Sequence, residues 1–364
     1  MKSLERVLKK RILNFGPISI SDFMAEANQN PKFGYYKKIF PFGKKGDFIT
    51  APEISQMFGE LIGIWIIDSW KKLGQPNKFN IIELGPGTGN LMLDITKTLN
   101  LNKNCTNACK KIYLLETSKK LRMHQKKKIS EINFKLLKKI NWVENMQKIK
   151  NEPFVIVANE FFDALPIKQL QYTKKGWREI LVNFNNKENF YYTLSNNPTL
   201  LEKFIPNIKK KKIGEIYEIP IQSLNLINEL CKKLNQTKGS ILIIDYEKKN
   251  TDRSTLKSIK NHKKNNPLIN IGISDLSVHV DFELIKKISK NYKLNFYGPI
   301  SQRNFLIKLG ILLRAKMLKK NASQKQKQII NNSLNFLINK NKMGECFQVV
   351  SISNFNNKKP EGFF

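Results

Sequence analysis

Histidine and cysteine are scarce in this chain of 364 residues, and long apolar runs are missing. Three histidines, His124, His262 and His279, cannot build a histidine-rich metal centre. Four cysteines, Cys105, Cys109, Cys231 and Cys346, are too few and too scattered for a disulfide framework, which points to a reducing compartment. Cys105 and Cys109 stand in an Asn/Lys-rich stretch without a second cysteine pair or a paired-histidine motif, so no metal site is expected. The most apolar stretch, Met57–Trp70, is broken by Glu60 and Asp68 and is too short to span a bilayer. The basic N-terminal stretch Met1–Phe15 carries Leu4, Val7, Leu8 and Ile12 at helical spacing, but Glu5 and the immediate passage into patterned sequence argue against a transit peptide. A cytoplasmic protein without a membrane segment is expected.

Negative charge is also short. Twenty-nine acidic residues against 64 basic ones leave a net +35, which on its face suggests a nucleic-acid or anionic-membrane partner. Only seven of the basic residues are arginine, however, and lysine is accompanied by abundant asparagine and isoleucine, which share A/T-rich codons. Phosphate recognition favours the guanidinium fork, whereas base drift enriches lysine on any solvated face. Drift is therefore the leading explanation. With 41% hydrophobic residues the chain is long enough for one large domain with insertions or for two domains.

Apolar runs at Phe79–Leu84, Ile112–Glu116, Phe154–Ala158 and Ile241–Asp245 read as buried strands. Between them Asn90–Leu99, Ser118–Lys128 and Ile221–Leu234 read as helices, and strands alternating with helices imply a doubly wound α/β sheet. Gln169–Thr193 looks like an insertion of antiparallel strands. Helices are expected over Asp281–Tyr292, Arg303–Met317 and Gln324–Asn339, before a last strand at Cys346–Ser353. Positions 1–76 form a helical region around two loops, Asn28–Tyr36 and Phe40–Pro52, held against a core of 77–168 and 239–364. Positions 169–238 form an inserted β-rich and helical subdomain.

The strongest local signal is Glu83-Leu84-Gly85-Pro86-Gly87-Thr88-Gly89, at the carboxyl end of one strand and the start of a helix. Glycines there let the backbone turn sharply and approach a ligand, and the helix N-terminus offers free N–H groups. The spacing is G-x-G-x-G, not the dinucleotide G-x-G-x-x-G, and no Lys-Ser/Thr pair follows as a P-loop requires. Glu116, at the tip of the next strand, could accept from two vicinal hydroxyls of a ribose. Asn159, Glu160 and Asp163 follow the third strand, where open α/β sheets carry their reaction centres. Glu160 and Asp163 could pair with a cationic nitrogen acceptor; Asp163 could equally cap the following turn. His279, close to Asp275 and Asp281, is either a proton acceptor or a structural histidine.

Taken in order, GYY (34–36), GDFITAPEISQMFGELIG (46–63), ELGPGTG (83–89), VANEFFDALPI (157–167), GWRE (176–179), IIDY (243–246), SDLSVHVDF (274–282) and FLIKLGI (305–311) closely resemble the MidA-type S-adenosylmethionine (SAM) dependent methyltransferases. That family includes the mitochondrial complex I assembly factor 7, and the resemblance runs over nearly the whole chain. It implies a class I methyltransferase fold with a Rossmann-like sheet and SAM as cofactor. It implies a SAM site at Glu83, Gly85, Gly87, Gly89 and Glu116, closed over by the turn that holds Thr50 and Pro52, with Glu160 and Asp163 toward the acceptor; Asn159 and His279 stay catalytic candidates on their positions in the sequence alone. The implied reaction is symmetric dimethylation of an arginine in the forty-nine-kilodalton-type subunit of NADH dehydrogenase (respiratory complex I) in support of its assembly, here by a bacterial member. An RNA methyltransferase, favoured by the charge, and a SAM-binding assembly chaperone without turnover are the alternatives. The chain departs from the family at Thr88, where arginine is usual, and before Ser274, where a Pro-Gly pair is missing.

Overall fold

The computed structural model describes residues 3–37, 46–47, 49–205, 211–248, 252–355 and 358–364; much of the loop expected over Phe40–Pro52 lies outside them. The chain divides into two compact units, one of 49–161, 227–247 and 280–364, the other of 1–48, 162–226 and 248–279. Residues 1–48 thus share a unit with the inserted strands, while 49–76 belong to the larger unit.

The larger unit is built on a seven-stranded sheet. Its strands, numbered in chain order within the sheet, are β1 (Phe79–Leu84), β2 (Cys109–Leu115), β3 (Ile140–Val143), β4 (Phe154–Asn159), β5 (Gly239–Tyr246), β6 (Asn295–Ser301) and β7 (Phe347–Ser353). Across the sheet they run β6-β7-β5-β4-β1-β2-β3. Strands β1 to β5 are parallel, and β7 is inserted antiparallel between β5 and β6. From β1 the chain builds outward to β2 and β3, then returns to the other side with β4 and β5. The order therefore reverses between β1 and β4, the topological switch point where open α/β sheets bind ligands beyond the carboxyl ends of their strands.

Each residue of β1 is buried, as are the first five of β4 and the first seven of β5, which is why these runs are mainly apolar instead of alternating. Helix Gln56–Lys72 lies against helix Asn90–Leu99, the helix that begins at the glycine loop. Their approach depends on Gly59 and Gly63, one turn apart. A Cβ at Gly59 would stand 2.6 Å from Asp94 Cβ, and one at Gly63 2.7 Å from Thr98 Cβ. Trp65, Ile66 and Trp70 fill the core on the sheet side. Arg314 clamps the same helix through a two-pronged pair with Glu60, Nε and Nη2 each 2.8 Å from a carboxylate oxygen.

The helix expected over Arg303–Met317 is two helices, Gln302–Lys308 and Ile311–Lys319. Gly310 separates them with a φ of +93°, a left-handed conformation that ends one helix and starts the next. Helix Lys119–Ile132 runs beyond Lys128, where its apolar spacing suggests an end, and Lys103–Ala108 is a short helix capped by Asn102.

In the smaller unit, helices Leu4–Phe15 and Ile20–Gln29 are capped by Ser3 and Ser19. The inserted strands Lys168–Thr173, Gly176–Phe184 and Phe190–Leu194 form an antiparallel sheet with Ile18–Ser19 and Ile216–Ile219. A second small antiparallel sheet holds Lys257–Lys260, Lys263–Asn265 and Asp275–Ser277. Leu8, Ile12, Phe23, Val182 and Leu276 belong to one apolar cluster of this unit. Buried Asn28 ties the second helix to strand Asp275–Ser277, its Nδ2 donating to Leu276 O at 2.8 Å. Among the described residues no helix is long and apolar enough to cross a membrane.

Candidate active site

At the switch point the chain leaves β1 through Gly85, whose N–H donates to Leu115 O at 3.1 Å and so holds the turn against β2. Gly85, Gly87 and Gly89 all have positive φ, +64°, +51° and +81°, so an L side chain would strain each of them. Gly89 is also the N-cap of helix Asn90–Leu99. The loop is buttressed from beneath by Gln125, which is fully buried. Its Nε2 donates to Gly87 O at 2.8 Å, and its Oε1 accepts from Trp142 Nε1 at 2.7 Å. Sequence reasoning missed Gln125; the only signal was its place on the buried face of the helix that also carries Leu121 and Ile129.

Glu83 is 2% exposed, and its Oε2 has no hydrogen-bond partner. Burial pushes its pKa from 4.5 up to about 8. A buried, unpartnered carboxylate oxygen is costly for a fold and is a receptor for a cation. Just past the end of β2, the strand paired with β1, Glu116 is also buried; its Oε1 accepts the Ser118 N–H at 2.7 Å, which fixes the carboxylate. Arg122 donates from Nε to the Glu116 carbonyl at 2.6 Å and pairs with Glu144 at 3.2 Å.

The end of β4 carries Asn159 and Glu160. Asn159 pairs in register with Ile244, and the Glu160 N–H donates to Ile244 O at 2.9 Å. Glu160 has a φ of +52°, a strained conformation for a residue other than glycine. Its Oε1 accepts from Asn159 Nδ2 at 3.2 Å and from the Ala51 N–H at 3.3 Å. Burial, with a smaller contribution from nearby Asp245, pushes its pKa up to about 8. Asn159 Oδ1 is buried without a partner. Asp245, at the end of β5, accepts the Phe161 N–H at 3.2 Å and so secures the turn after Glu160. The Phe161 ring lies on the glycine loop, where a Cβ at Gly85 would stand 2.7 Å from its Cδ2.

Thr50 and Pro52 belong to a short helical turn, Ala51–Ile54, with Thr50 as N-cap. The turn is tied to β4 by the Ala51 bond to Glu160 and to the glycine loop by Thr88 Oγ1, which donates to Glu53 Oε1 at 3.4 Å. The larger unit therefore brings together Glu83, Gly85, Gly87, Gly89, Glu116, Thr50, Pro52, Asn159 and Glu160 at one end of its sheet.

Asp163 and His279 lie in the smaller unit. The Asp163 carbonyl accepts the Val278 N–H at 2.9 Å, which sets His279 one residue from that contact. The His279 N–H donates to Thr255 Oγ1 at 3.0 Å, and Thr255 Oγ1 in turn donates to Glu218 at 2.8 Å. Tyr36, within electrostatic reach of Asp163, donates its hydroxyl to Asp275 Oδ1 at 2.8 Å. Burial pushes the Asp275 carboxyl up to about 6.

This end of the sheet matches the demands of SAM, whose amino-acid part carries an ammonium and a carboxylate. The unpartnered Glu83 oxygen suits the ammonium, and the N–H groups that open helix Asn90–Leu99 suit the carboxylate. The sequence pattern of the S-adenosyl-L-methionine-dependent methyltransferases matches residues 61–300. The chain belongs to that family.

It is 33% identical to protein arginine methyltransferase NDUFAF7, mitochondrial, of Danio rerio over 371 residues, covering 97% of this chain and 87% of the relative. The corresponding Homo sapiens protein is 33% identical over 371 residues, with 95% of this chain and 82% of the relative covered. The fold matches that of a Burkholderia thailandensis protein crystallised with S-adenosyl-homocysteine, at a TM-score of 0.87 and 22% identity over 99% of this chain and 94% of the other. The chain is thus a SAM-dependent methyltransferase, with the fold and cofactor its sequence implies. SAM supplies an electrophilic methyl group on a sulfonium; what remains for the protein is to bind, orient and deprotonate an acceptor.

Proposed function

We propose that the chain transfers methyl groups to an arginine of a protein, the forty-nine-kilodalton-type subunit of NADH dehydrogenase (complex I), giving symmetric dimethylarginine in support of assembly. The observation that carries this reading is Glu160, a carboxyl raised to about 8 at the end of β4 beside the partnerless Asn159 Oδ1. An environment that penalises a lone carboxylate rewards pairing with a guanidinium, and such pairing can be two-pronged. Asn159 Oδ1 would accept a guanidinium N–H and fix which nitrogen faces the methyl group. As that nitrogen takes the methyl it must lose a proton, and Glu160 is the candidate acceptor.

Glu83, Gly85, Gly87, Gly89 and Glu116 are the proposed cofactor contacts, with Thr50 and Pro52 in the turn that covers it. Asp163 and His279 are proposed contributors to catalysis. The printed names of the curated relatives, protein arginine methyltransferases, support the choice of arginine. Four free cysteines, three of them buried, fit the reducing cytoplasm proposed for it.

The test is incubation of the protein with labelled SAM and a lysate lacking it, followed by mapping of the label. Label on an arginine of that NADH dehydrogenase subunit is expected. Label in RNA alone would overturn the reading in favour of an RNA methyltransferase, and no transfer from bound SAM would favour an assembly chaperone.

A further inference from the structure

The smaller unit holds a cavity of about 440 Å3 on its antiparallel sheet, formed where the Lys168–Thr173 and Gly176–Phe184 hairpin turns over. Three cations line it, Lys174, Lys175 and Arg178, together with Tyr172, Leu194 and Ile213. Lys174 and Lys175 form the two-residue turn between paired Thr173 and Gly176. The backbone of that turn is fixed: the Lys175 N–H donates to Thr173 Oγ1 at 3.2 Å, and Thr173 Oγ1 donates to Gly176 O at 2.8 Å. Both lysine residues are exposed, and among the described residues neither forms an ion pair.

Arg178 donates from Nη1 to Ser195 O at 3.3 Å, while its Nε is buried without a partner. Three acids of this unit are already committed. Glu202 pairs with Lys211 at 2.9 Å, Glu179 pairs with Lys168 at 2.6 Å, and Glu215 accepts the Lys212 N–H at 3.1 Å.

We propose that this cavity binds a short acidic segment of the protein that is methylated. This rests on the protein-methyltransferase reading above and supplies the part it leaves open, how a chain of net charge +35 attracts a substrate whose acceptor is itself a cation. Carboxylates of that segment would neutralise the three cations. Apolar side chains between them would meet Ile213, 67% exposed, and Leu194.

A nucleic acid fits less well. Single strands need open aromatic faces for stacking along a cationic groove. The one aromatic in the wall, Tyr172, has Lys211 Nζ 5.6 Å from its ring centroid and a tilted Trp177 ring at 5.2 Å, so it is already in contact with a cation and a second ring.

The test uses a fluorescent peptide of glutamates and leucines, its lysine counterpart, and a labelled single-stranded RNA of the same length. The acidic peptide should bind, more weakly as salt rises, and the lysine peptide should not. The exposed double charge reversal Lys174→Glu with Lys175→Glu should lower affinity for the acidic peptide at least tenfold and raise KM for the protein substrate by a similar factor. SAM affinity of the same variant, measured by calorimetry, should be unchanged, which verifies that it is folded. Arg178→Gln should lower peptide affinity on its own. Unchanged peptide affinity in these variants, or RNA bound more tightly than the peptide and lost in the double variant, would overturn the proposal. If the peptide behaves as expected but labelled SAM marks no protein, the acidic-ligand cavity stands and the protein-arginine reading fails.

Discussion

Replacing Glu83 by glutamine removes a charge from the end of β1 while keeping the shape of the side chain. The folded pKa of about 8 lies above the ordinary 4.5, so between those pH values the folded chain holds a proton that the unfolded chain has released. Stability from this group is fully present below about pH 4.5, declines as pH rises and levels off above about pH 8. At ~1.36 kcal/mol for each pH unit the upper bound on the loss is on the order of 5 kcal/mol. Relaxation and water entry around a buried ion bring the working figure to about 2–3 kcal/mol.

Glu83→Gln is therefore expected to melt at the same temperature as the parent near pH 4.5 and roughly 5 °C above it near pH 8.5, without SAM. With SAM the order changes, because the parent gains a partner for its buried carboxylate and the variant does not. A loss of ten- to a hundredfold in affinity, about 1.4–2.7 kcal/mol, is expected. Thermal melts from about pH 4.5 to 9, with and without SAM, and calorimetric titration at about pH 8 read both effects. A melting difference that does not change with pH, or an unchanged SAM affinity, would refute the assignment of Glu83 to the cofactor's ammonium.

For Glu160→Gln, SAM affinity should stay within about threefold of the parent while kcat falls by about 10²–10³. The parent kcat/KM should rise as pH increases toward about 8, because the ionised Glu160 is the competent form, and the variant profile should be flat over the same range. Gly85→Ala and Gly310→Ala separate two glycine roles. At Gly310 a Cβ meets nothing within 4 Å, so its φ of +93° alone should cost about 1 kcal/mol. At Gly85 the contact with Phe161 adds to a φ of +64°, for a loss of about 2–4 kcal/mol that Phe161→Leu partly restores. Equal losses in urea unfolding at the two positions would reject the role of that contact.

The parts of the fold that the sequence discloses are those buried on both faces. Phe79–Leu84, Phe154–Asn159 and Gly239–Tyr246 are the central strands, and nothing polar interrupts their interior beyond Asn80, Glu83, Ser240 and Asp245. The two edge strands of that sheet are hidden. Ile140–Val143 has four residues, only two of them buried, and Asn295–Ser301 contains Gly298 and Pro299, residues that ordinarily mark turns. Lys257–Lys260 and Lys263–Asn265 are so rich in lysine that no alternation survives.

At the site the glycines, Glu83, Glu116, Asn159 and Glu160 are legible because each stands at or just past a strand end, a position that sequence alone can place. Gln125 and Glu53 are not, because each acts on a loop distant in sequence through a contact that only the folded chain makes.

The net charge bears on the site less than its size suggests. A Debye length of about 8 Å screens exposed lysines from one another and from an approaching guanidinium, while a carboxylate shut away from water is screened far less. Glu83 and Glu160 are such groups, each already raised to about 8 by burial. In the proposed reading both gain most when a cation arrives, the ammonium of the cofactor for Glu83 and the guanidinium of the acceptor for Glu160. An excess of surface lysine can thus coexist with a cationic acceptor, because the groups that would bind it are buried and the groups that would repel it are solvated. The same reasoning locates where the excess could still act: at Lys174, Lys175 and Arg178, where an indented wall lets three cations converge on one ligand.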